Sequence, residues 1–288
     1  MTNRPKLISI KSYYLFEIFM TQIVIRHFGG LRVTVGGQDV ALPSDFPHGL
    51  FAYLTHHANQ MIARGQVSAV FWPDLSEKRA RRALSTALWR IGHVAPIAPF
   101  LVRSASSVGF IASRIWVDTV AFERHLRHAK RLATAMPASA LMRVVRMIRT
   151  SSQPAFANLS DEWGLQQRFM FENFHCDTLY LGAQISATIN DTITLTECAR
   201  QLIAREPYRE DIRELQMQHA AQNGHLLTAQ RHFDTYQDMI ATEYGNMPEK
   251  TLVQMTTPRE SNKIMPAIEQ LRAALGALED RLRRERVE

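Results

Sequence analysis

The stretch that decides the fold runs from Ser76 to His93 and reads SEKRARRALSTALWRIGH. Small and aliphatic side chains recur in it at helical spacing, which predicts a helix from Glu77 to His93 with Ser76 as its N-cap. The apolar residues fall on one side of this helix: Ala80, Leu84, Ala87 and Ile91. The helix also contains five Lys and Arg residues and one Glu. It is therefore predicted to dock by its apolar side and to present a basic side to solvent.

Short β-rich runs and two helices precede this stretch. The runs Ile23 to Phe28, Leu31 to Val35 and Asp39 to Leu42 are separated by glycine pairs, which predicts a small antiparallel meander. Helices are predicted from Pro47 to Gln60 and from Arg64 to Phe71.

Two more β runs follow the basic helix. Phe100 to Arg103 and Gly109 to Trp116 flank the polar tip Ser104 to Ser107, which predicts a hairpin. Three short helices followed by a hairpin are typical of a winged helix-turn-helix, in which the third helix enters the major groove of DNA. The hairpin is the wing, which contacts phosphate or the minor groove.

This arrangement predicts the DNA-binding residues, because arginines pair with guanine edges or phosphates and small hydroxyls also read bases. They are Lys78, Arg79, Arg81, Arg82, Ser85, Thr86, Trp89 and Arg90 of the helix, and Arg103, Ser104 and Ser106 of the wing. A solvated basic helix without any partner is the alternative. An exposed Trp89 is also compatible with packing on a neighbouring domain or on the wing.

The charge of the chain supports a polyanionic partner. The net charge is +7, and residues 20–117 contain ten Lys and Arg against four Asp and Glu. Residues 118–260 contain fifteen against seventeen. The basic character is thus concentrated in the segment with the predicted recognition helix.

From Asp118 onward the pattern is almost entirely helical. The predicted helices are Thr119 to Ala135, Ala138 to Arg149, Ser160 to Ile189, Thr192 to Arg205, Arg209 to Asn223, Leu226 to Tyr244 and Pro266 to Arg286. Six aromatic residues are predicted to be core: Phe156, Trp163, Phe169, Phe171, Phe174 and Tyr180. The last helix has a heptad-like apolar stripe that predicts self-association: Ile268, Leu271, Leu275, Leu278 and Leu282. The same stripe could instead pack back on the preceding helices.

Several classes of protein are disfavoured. The chain has no phosphate-binding Gly-x-x-x-x-Gly-Lys-Ser/Thr motif, no histidine or cysteine cluster at metal spacing and no plausible nucleophile–base set, so we expect no enzyme activity, no cofactor and no metal. Two cysteines and the lack of a long apolar run favour a cytoplasmic protein with no membrane association. Either Met1 or Met20 could be the true start.

A resemblance to a known family makes these expectations specific. The stretch IARGQVSAVFWPDLS from Ile62 to Ser76, followed by ARRAL from Ala80 to Leu84, resembles the OmpR-type winged helix of the SARP/BTAD family of bacterial transcriptional activators. The wing resembles that family too, with Gly109-Phe110 where the family usually has Gly-Tyr, and Asp118 with Phe122 and Glu123 resemble the motif that opens its second domain. Residues 205–211, REPYRED, and 243–245, EYG, are similar to its activator domain. Ala63 departs from the family's usual Ser or Thr cap.

The resemblance implies a fold and a function. The expected fold class is an α+β winged helix-turn-helix domain followed by an all-α TPR-like helical-repeat domain. The expected divisions are an N-terminal extension (1–19), the DNA-binding domain (20–117), the activator domain (118–260) and a C-terminal helix (261–288). The implied partners are double-stranded promoter DNA and RNA polymerase, with a homodimer possible. The alternative function is a TPR-like adaptor that binds proteins and whose winged helix lacks specific DNA binding.

Overall fold

The computed structural model describes residues 22–244, which form two compact units. The first ends at Thr178 and the second begins at Leu179, within a long helix. In the first unit the strands are β1 (Ile23–Arg26), β2 (Arg32–Val35), β3 (Gln38–Asp39), β4 (Ile62–Ala63), β5 (Leu101–Arg103), β6 (Ser107–Phe110) and β7 (Ile115–Val117). Its helices are α1 (His48–His56), α2 (Arg64–Phe71), α3 (Glu77–Gly92), α4 (Asp118–Ala135), α5 (Pro137–Thr150) and most of α6 (Glu162–Thr188). In the second unit, α7 (Thr192–Arg205), α8 (Glu210–Gln222) and α9 (Leu226–Tyr244) follow.

The N-terminal sheet confirms the predicted meander and adds a fourth strand. Its order is β3-β2-β1-β7, with β1 antiparallel to β2. Strand β7 pairs in parallel with β1, so that Ile23 lies opposite Ile115. The prediction of one wing strand from Gly109 to Trp116 is therefore wrong. The wing strand ends at Phe110, and the chain then crosses to the other sheet.

The wing is a three-stranded sheet in the order β4-β6-β5. The β5–β6 hairpin was predicted, whereas β4 was missed because it has only two residues. Gly109 is required here, because a Cβ atom at this position would lie 2.4 Å from the backbone oxygen of Gln60. Gly109 thus lets β6 approach the chain that leaves α1.

The helix-turn-helix is formed by α2 and α3. The bounds of α2 are as predicted, and α3 ends one residue early. Ser76 occupies the N-cap position of α3, but its side chain makes no capping hydrogen bond. Helix α1 stops at His56, four residues short of the prediction, because Asn59 adopts a positive φ of 65° and its N–H donates to Phe110 O.

The helices after Val117 follow their predicted order, and α7 and α9 have their predicted bounds. A single residue, Met136, joins α4 to α5, and Pro137 opens α5, where its missing N–H costs nothing. Helix α4 packs on α5 and on strands β1 and β7. In the second unit α7 packs on α8, and α8 on α9, as expected for helical repeats. Phe169 is 71% exposed, so its assignment to the core was wrong.

Candidate nucleic-acid interface

Helix α3 is fixed to the first unit by its apolar side. All four residues of the predicted stripe are buried, and Leu88 joins them. Leu84 and Ile91 are fully inaccessible to solvent. Because the stripe lies against α2 and the turn that precedes β5, the opposite side of α3 must face outward.

The outward side, which we call the basic face of α3, brings the predicted helix residues together. Every one of them is exposed: Lys78, Arg79, Arg81, Arg82, Ser85, Thr86, Trp89 and Arg90. Among the described residues, Lys78, Arg79 and Arg82 make no ion pair or side-chain hydrogen bond. These three cations lie in the N-terminal half of the helix, the half that contacts base edges in helix-turn-helix proteins.

The other polar side chains of the basic face are engaged within the protein. Arg81 pairs with Glu77 one turn earlier. Ser85 Oγ accepts a hydrogen bond of 2.9 Å from the guanidinium of Arg64, at the first position of α2. Thr86 Oγ1 donates to Arg82 O at 3.1 Å. Arg64 thus adds a cation beside the basic face, one that sequence reasoning missed because its position before the turn gave no such signal.

The C-terminal end of α3 is more firmly held. Arg90 Nε lies 3.3 Å from a carboxylate oxygen of Asp45, in the loop before α1. The ring of Trp89 lies against that of His93 at an interplanar angle of 44°, with centroids 3.8 Å apart, yet 55% of Trp89 remains exposed. Trp89 therefore packs on its own helix.

The predicted wing residues, Arg103, Ser104 and Ser106, are all exposed. The tip is a tight turn in which Ser104 Oγ accepts hydrogen bonds from the N–H groups of Ser106 and Ser107, at 3.3 and 2.9 Å. The guanidinium of Arg103 lies beside the end of α3, since a Cβ atom on Gly92 would be 3.5 Å from it. A cation at this end of a helix is favourable, and the contact places the wing next to α3.

A buried junction, which we call the seam, connects the winged-helix elements, residues 22–117, to the helices that follow. It consists of residues 27–29 after β1, Asp118 at the start of α4, residues 154–156 and His56 at the end of α1. Phe28 forms a β-bridge with Ala155, and Phe156 N–H donates to His27 O at 2.9 Å. The segment before α6 thus pairs with the chain that leaves β1 through backbone hydrogen bonds.

Asp118 is the main polar group of the seam. Its carboxylate accepts hydrogen bonds from the backbone N–H groups of His27 and Phe28, at 2.9 and 3.1 Å. Asp118 is only 3% exposed, and burial raises its pKa to about 6, against the opposing effect of these hydrogen bonds. Asp118 thus has a structural role that the sequence motif alone did not reveal.

Two histidines of the seam are neutral near pH 7. Burial, with a smaller effect from the nearby His56, lowers the pKa of His27 to about 3. Burial also lowers the pKa of His56 to about 4, with a smaller effect from His57. His56 Nε2 lies 3.7 Å from Glu123, a contact that is an ion pair only when the ring is protonated. His27 stacks on Phe156 with centroids 4.6 Å apart.

In the second unit, charged residues of the motif 205–211 bond to other residues of the same unit. Arg209 contacts Glu206 and Asp211, each at 2.8 Å, and lies 4.8 Å above the ring of Tyr180. These contacts raise the pKa of Arg209. The motif therefore ties α6 to the loop before α8.

Three further observations bound the functional possibilities. Within residues 22–244, no group of three or more His, Cys, Asp and Glu residues is placed to hold a metal ion. No helix of that same range is long and apolar enough to cross a membrane. The predicted self-association residues, Ile268, Leu271, Leu275, Leu278 and Leu282, lie outside the described residues.

Comparison with known proteins agrees with the fold. The structure of Mycobacterium tuberculosis EmbR in complex with a low-affinity phosphopeptide matches with a TM-score of 0.67 and 14% sequence identity, over 90% of this chain and 71% of that one. No curated protein sequence matches the chain. Residues 117–258 match the family described as "Bacterial transcriptional activator domain", BTAD. The match assigns residues 117–258 to this family of domains, and the fold of the chain, winged-helix elements followed by packed helix pairs, is similar to that of EmbR.

Proposed function

We propose that this protein binds promoter DNA sequence-specifically through α3 and the wing, and activates transcription by recruiting RNA polymerase. The match of residues 117–258 to a family of transcriptional activator domains supports the general role. The observation that carries the DNA-binding part is the basic face of α3, where Lys78, Arg79 and Arg82 are exposed without a partner among the described residues. Promoter DNA would place the protein in the cytoplasm.

The positions on α3 suggest how the work is divided. Arg82 lies nearly opposite the buried stripe and is suited to reach base edges in the major groove, which is about 12 Å wide. Lys78 and Arg79 lie nearer the first turn and are suited to phosphates. Ser85 is oriented by Arg64 at 2.9 Å and could present its hydroxyl to the same groove.

DNA binding is tested by selecting bound sequences from random duplexes and then titrating salt. A specific site should emerge, and the logarithm of its affinity should fall linearly with the logarithm of the salt concentration. Weak binding without any enriched site, or no binding, would overturn the proposal and favour the protein-binding adaptor.

Activation needs a separate test, because recruitment is proposed from the family alone. With purified RNA polymerase and a promoter that contains the selected site, wild-type protein should raise the yield of a single round of transcription. A protein that occupies its site and leaves the yield unchanged or lowers it would refute activation by recruitment and leave DNA binding intact.

Self-association is the last part of the proposal. Two linked readers on adjacent half-sites gain avidity without any new contact. Deleting residues 266–288 should convert a dimer to a monomer and weaken binding to paired half-sites far more than to single ones. A truncated protein that sediments as the same oligomer would exclude this segment as the interface.

A further inference from the structure

The helix hairpin α4–α5 is the most basic part of the region after Val117. Residues 118–150 contain seven Lys and Arg against two Asp and Glu, whereas residues 151–260 contain eight against fifteen. One of the two acids, Asp118, is buried and the other, Glu123, is half-buried. The small net charge of residues 118–260 therefore results from a strongly positive hairpin followed by an acidic region.

Most cations of this hairpin have no acidic partner. Lys130 lies 3.3 Å from Asp177. Among the described residues, Arg124, Arg143, Arg146 and Arg149 make no ion pair, and all four are exposed. The positive field is felt inside the hairpin, since Arg124, Arg143 and Arg146 add to burial in lowering the pKa of His125.

A cleft of about 120 Å³ opens beside Arg143 and Arg146. Its wall is formed mainly by apolar atoms, and its rim is basic. The residues that define it are Trp116, Phe122, His125, Arg143, Arg146 and Met147. Asp118 also lines it, but backbone N–H groups occupy the carboxylate oxygens. A space of this size has room for one aliphatic side chain.

We propose that this hairpin cleft docks an acidic segment of a partner protein, with one aliphatic side chain in the cleft and flanking carboxylates on Arg143 and Arg146. Charge complementarity selects the acidic partner, and the apolar wall selects a peptide over nucleic acid, because a phosphodiester backbone has no side chain to fill it. The hairpin packs on β1 and β7, whereas α3 packs on α2 and the turn before β5, so different parts of the fold carry the two basic surfaces. The proposal does not depend on DNA binding.

The test uses a short fluorescein-labelled peptide of Asp and Glu residues around a single central leucine. Fluorescence anisotropy at physiological salt should show binding, and replacing that leucine by alanine in the peptide should weaken it about fivefold to tenfold. The double variant Arg143→Glu/Arg146→Glu should weaken binding at least about tenfold. If that variant unfolds, Arg143→Ala/Arg146→Ala takes its place.

Matched controls separate the cleft from general charge. The double variant Arg32→Glu/Arg231→Glu makes the same change of charge at exposed sites elsewhere and should alter peptide affinity less than about twofold. Arg82→Ala should leave peptide affinity unchanged, so failure of this proposal and failure of DNA binding by α3 give different results.

Four results would overturn the proposal. They are no binding of the leucine peptide, equal affinity for the leucine and alanine peptides, equal losses in the two double variants, and displacement of the peptide by a random duplex whose own affinity falls in Arg143→Glu/Arg146→Glu. The last result would identify the hairpin as a nucleic-acid surface.

Discussion

The basic face of α3 and the seam use charged residues in opposite ways. On α3, Lys78, Arg79 and Arg82 are exposed and have no partner among the described residues. In the seam, Asp118 and His27 are 3% and 1% exposed, and the Asp118 carboxylate is occupied by backbone donors. The charged groups on α3 are therefore free to contact another molecule, whereas those of the seam are occupied by hydrogen bonds within the fold.

The difference implies that the two regions can be separated by mutation. Changes on the basic face should alter DNA affinity and leave the free energy of unfolding almost unchanged. Changes in the seam should do the reverse, provided that affinity is measured for the folded fraction.

The largest effect is expected from Asp118→Ala. This change leaves the N–H groups of His27 and Phe28 buried without an acceptor, and should lower the free energy of unfolding by about 3 kcal/mol. Urea denaturation measures it. Asp118→Asn keeps one carbonyl acceptor and should lose less. Unchanged stability in Asp118→Ala, or loss of DNA affinity in a variant that stays fully folded, would break the distinction.

The seam should also make stability depend on pH. His27 and His56 take up protons near pH 6.5 when unfolded but only at about 3 and 4 when folded, so acid favours unfolding. Asp118 has the opposite sign, because its folded pKa of about 6 lies above its ordinary value of 3.8. Two histidines outweigh one aspartate, and stability should rise by about 2 kcal/mol between pH 4.5 and 6.5.

Denaturation curves across this pH range provide the measurement, with His56→Gln as the matched variant. Removing one of the two histidines should leave its contribution nearly balanced by Asp118, so the rise should largely vanish. A wild-type protein whose stability falls over the same range would show that Asp118 dominates the seam.

Arg82→Ala tests the other side of the comparison. Loss of a side chain that reads a base should weaken binding to the selected site by about 1–3 kcal/mol and relax preference at one position. The free energy of unfolding should change by less than about 0.5 kcal/mol, since Arg82 is exposed. Arg231→Ala, an exposed arginine of α9, is the control. Unchanged affinity with an intact fold would remove Arg82 from the reading set.

The two regions also differ in how far sequence could predict them. Helix α3 was predicted to within one residue because a long amphipathic helix repeats its apolar signal over several turns. The seam was not predicted, since Asp118 and His27 are 91 positions apart and nothing local links them. For the same reason the pairing of β7 with β1 was missed, as three residues carry no information about their partner.

Within the candidate site, the exposure of side chains could be predicted from sequence, whereas their bonding partners could not. Periodicity placed all eight residues of the basic face of α3 on the solvent side, as the structure has them. It could not show that Arg90 pairs with Asp45, or that Arg64 reaches Ser85 from α2. These partners come from distant elements. A sequence pattern therefore shows which side chains are exposed, but not which of them are already bonded to another residue.

The smallest effect, expected from Arg103→Ala, concerns a residue that could belong to either class. Arg103 is exposed in the wing, yet its guanidinium lies beside Gly92 at the end of α3, where a cation stabilises the helix. If it contacts a DNA phosphate, the change should weaken binding by about 0.5–1 kcal/mol for all sequences alike and lower the salt slope by about 1. Arg103→Lys keeps the charge and should restore the slope. If Arg103 instead serves only the helix end, the salt slope will not move and the free energy of unfolding will fall, which would assign the residue to the frame and leave phosphate contact to the Ser104–Ser107 tip.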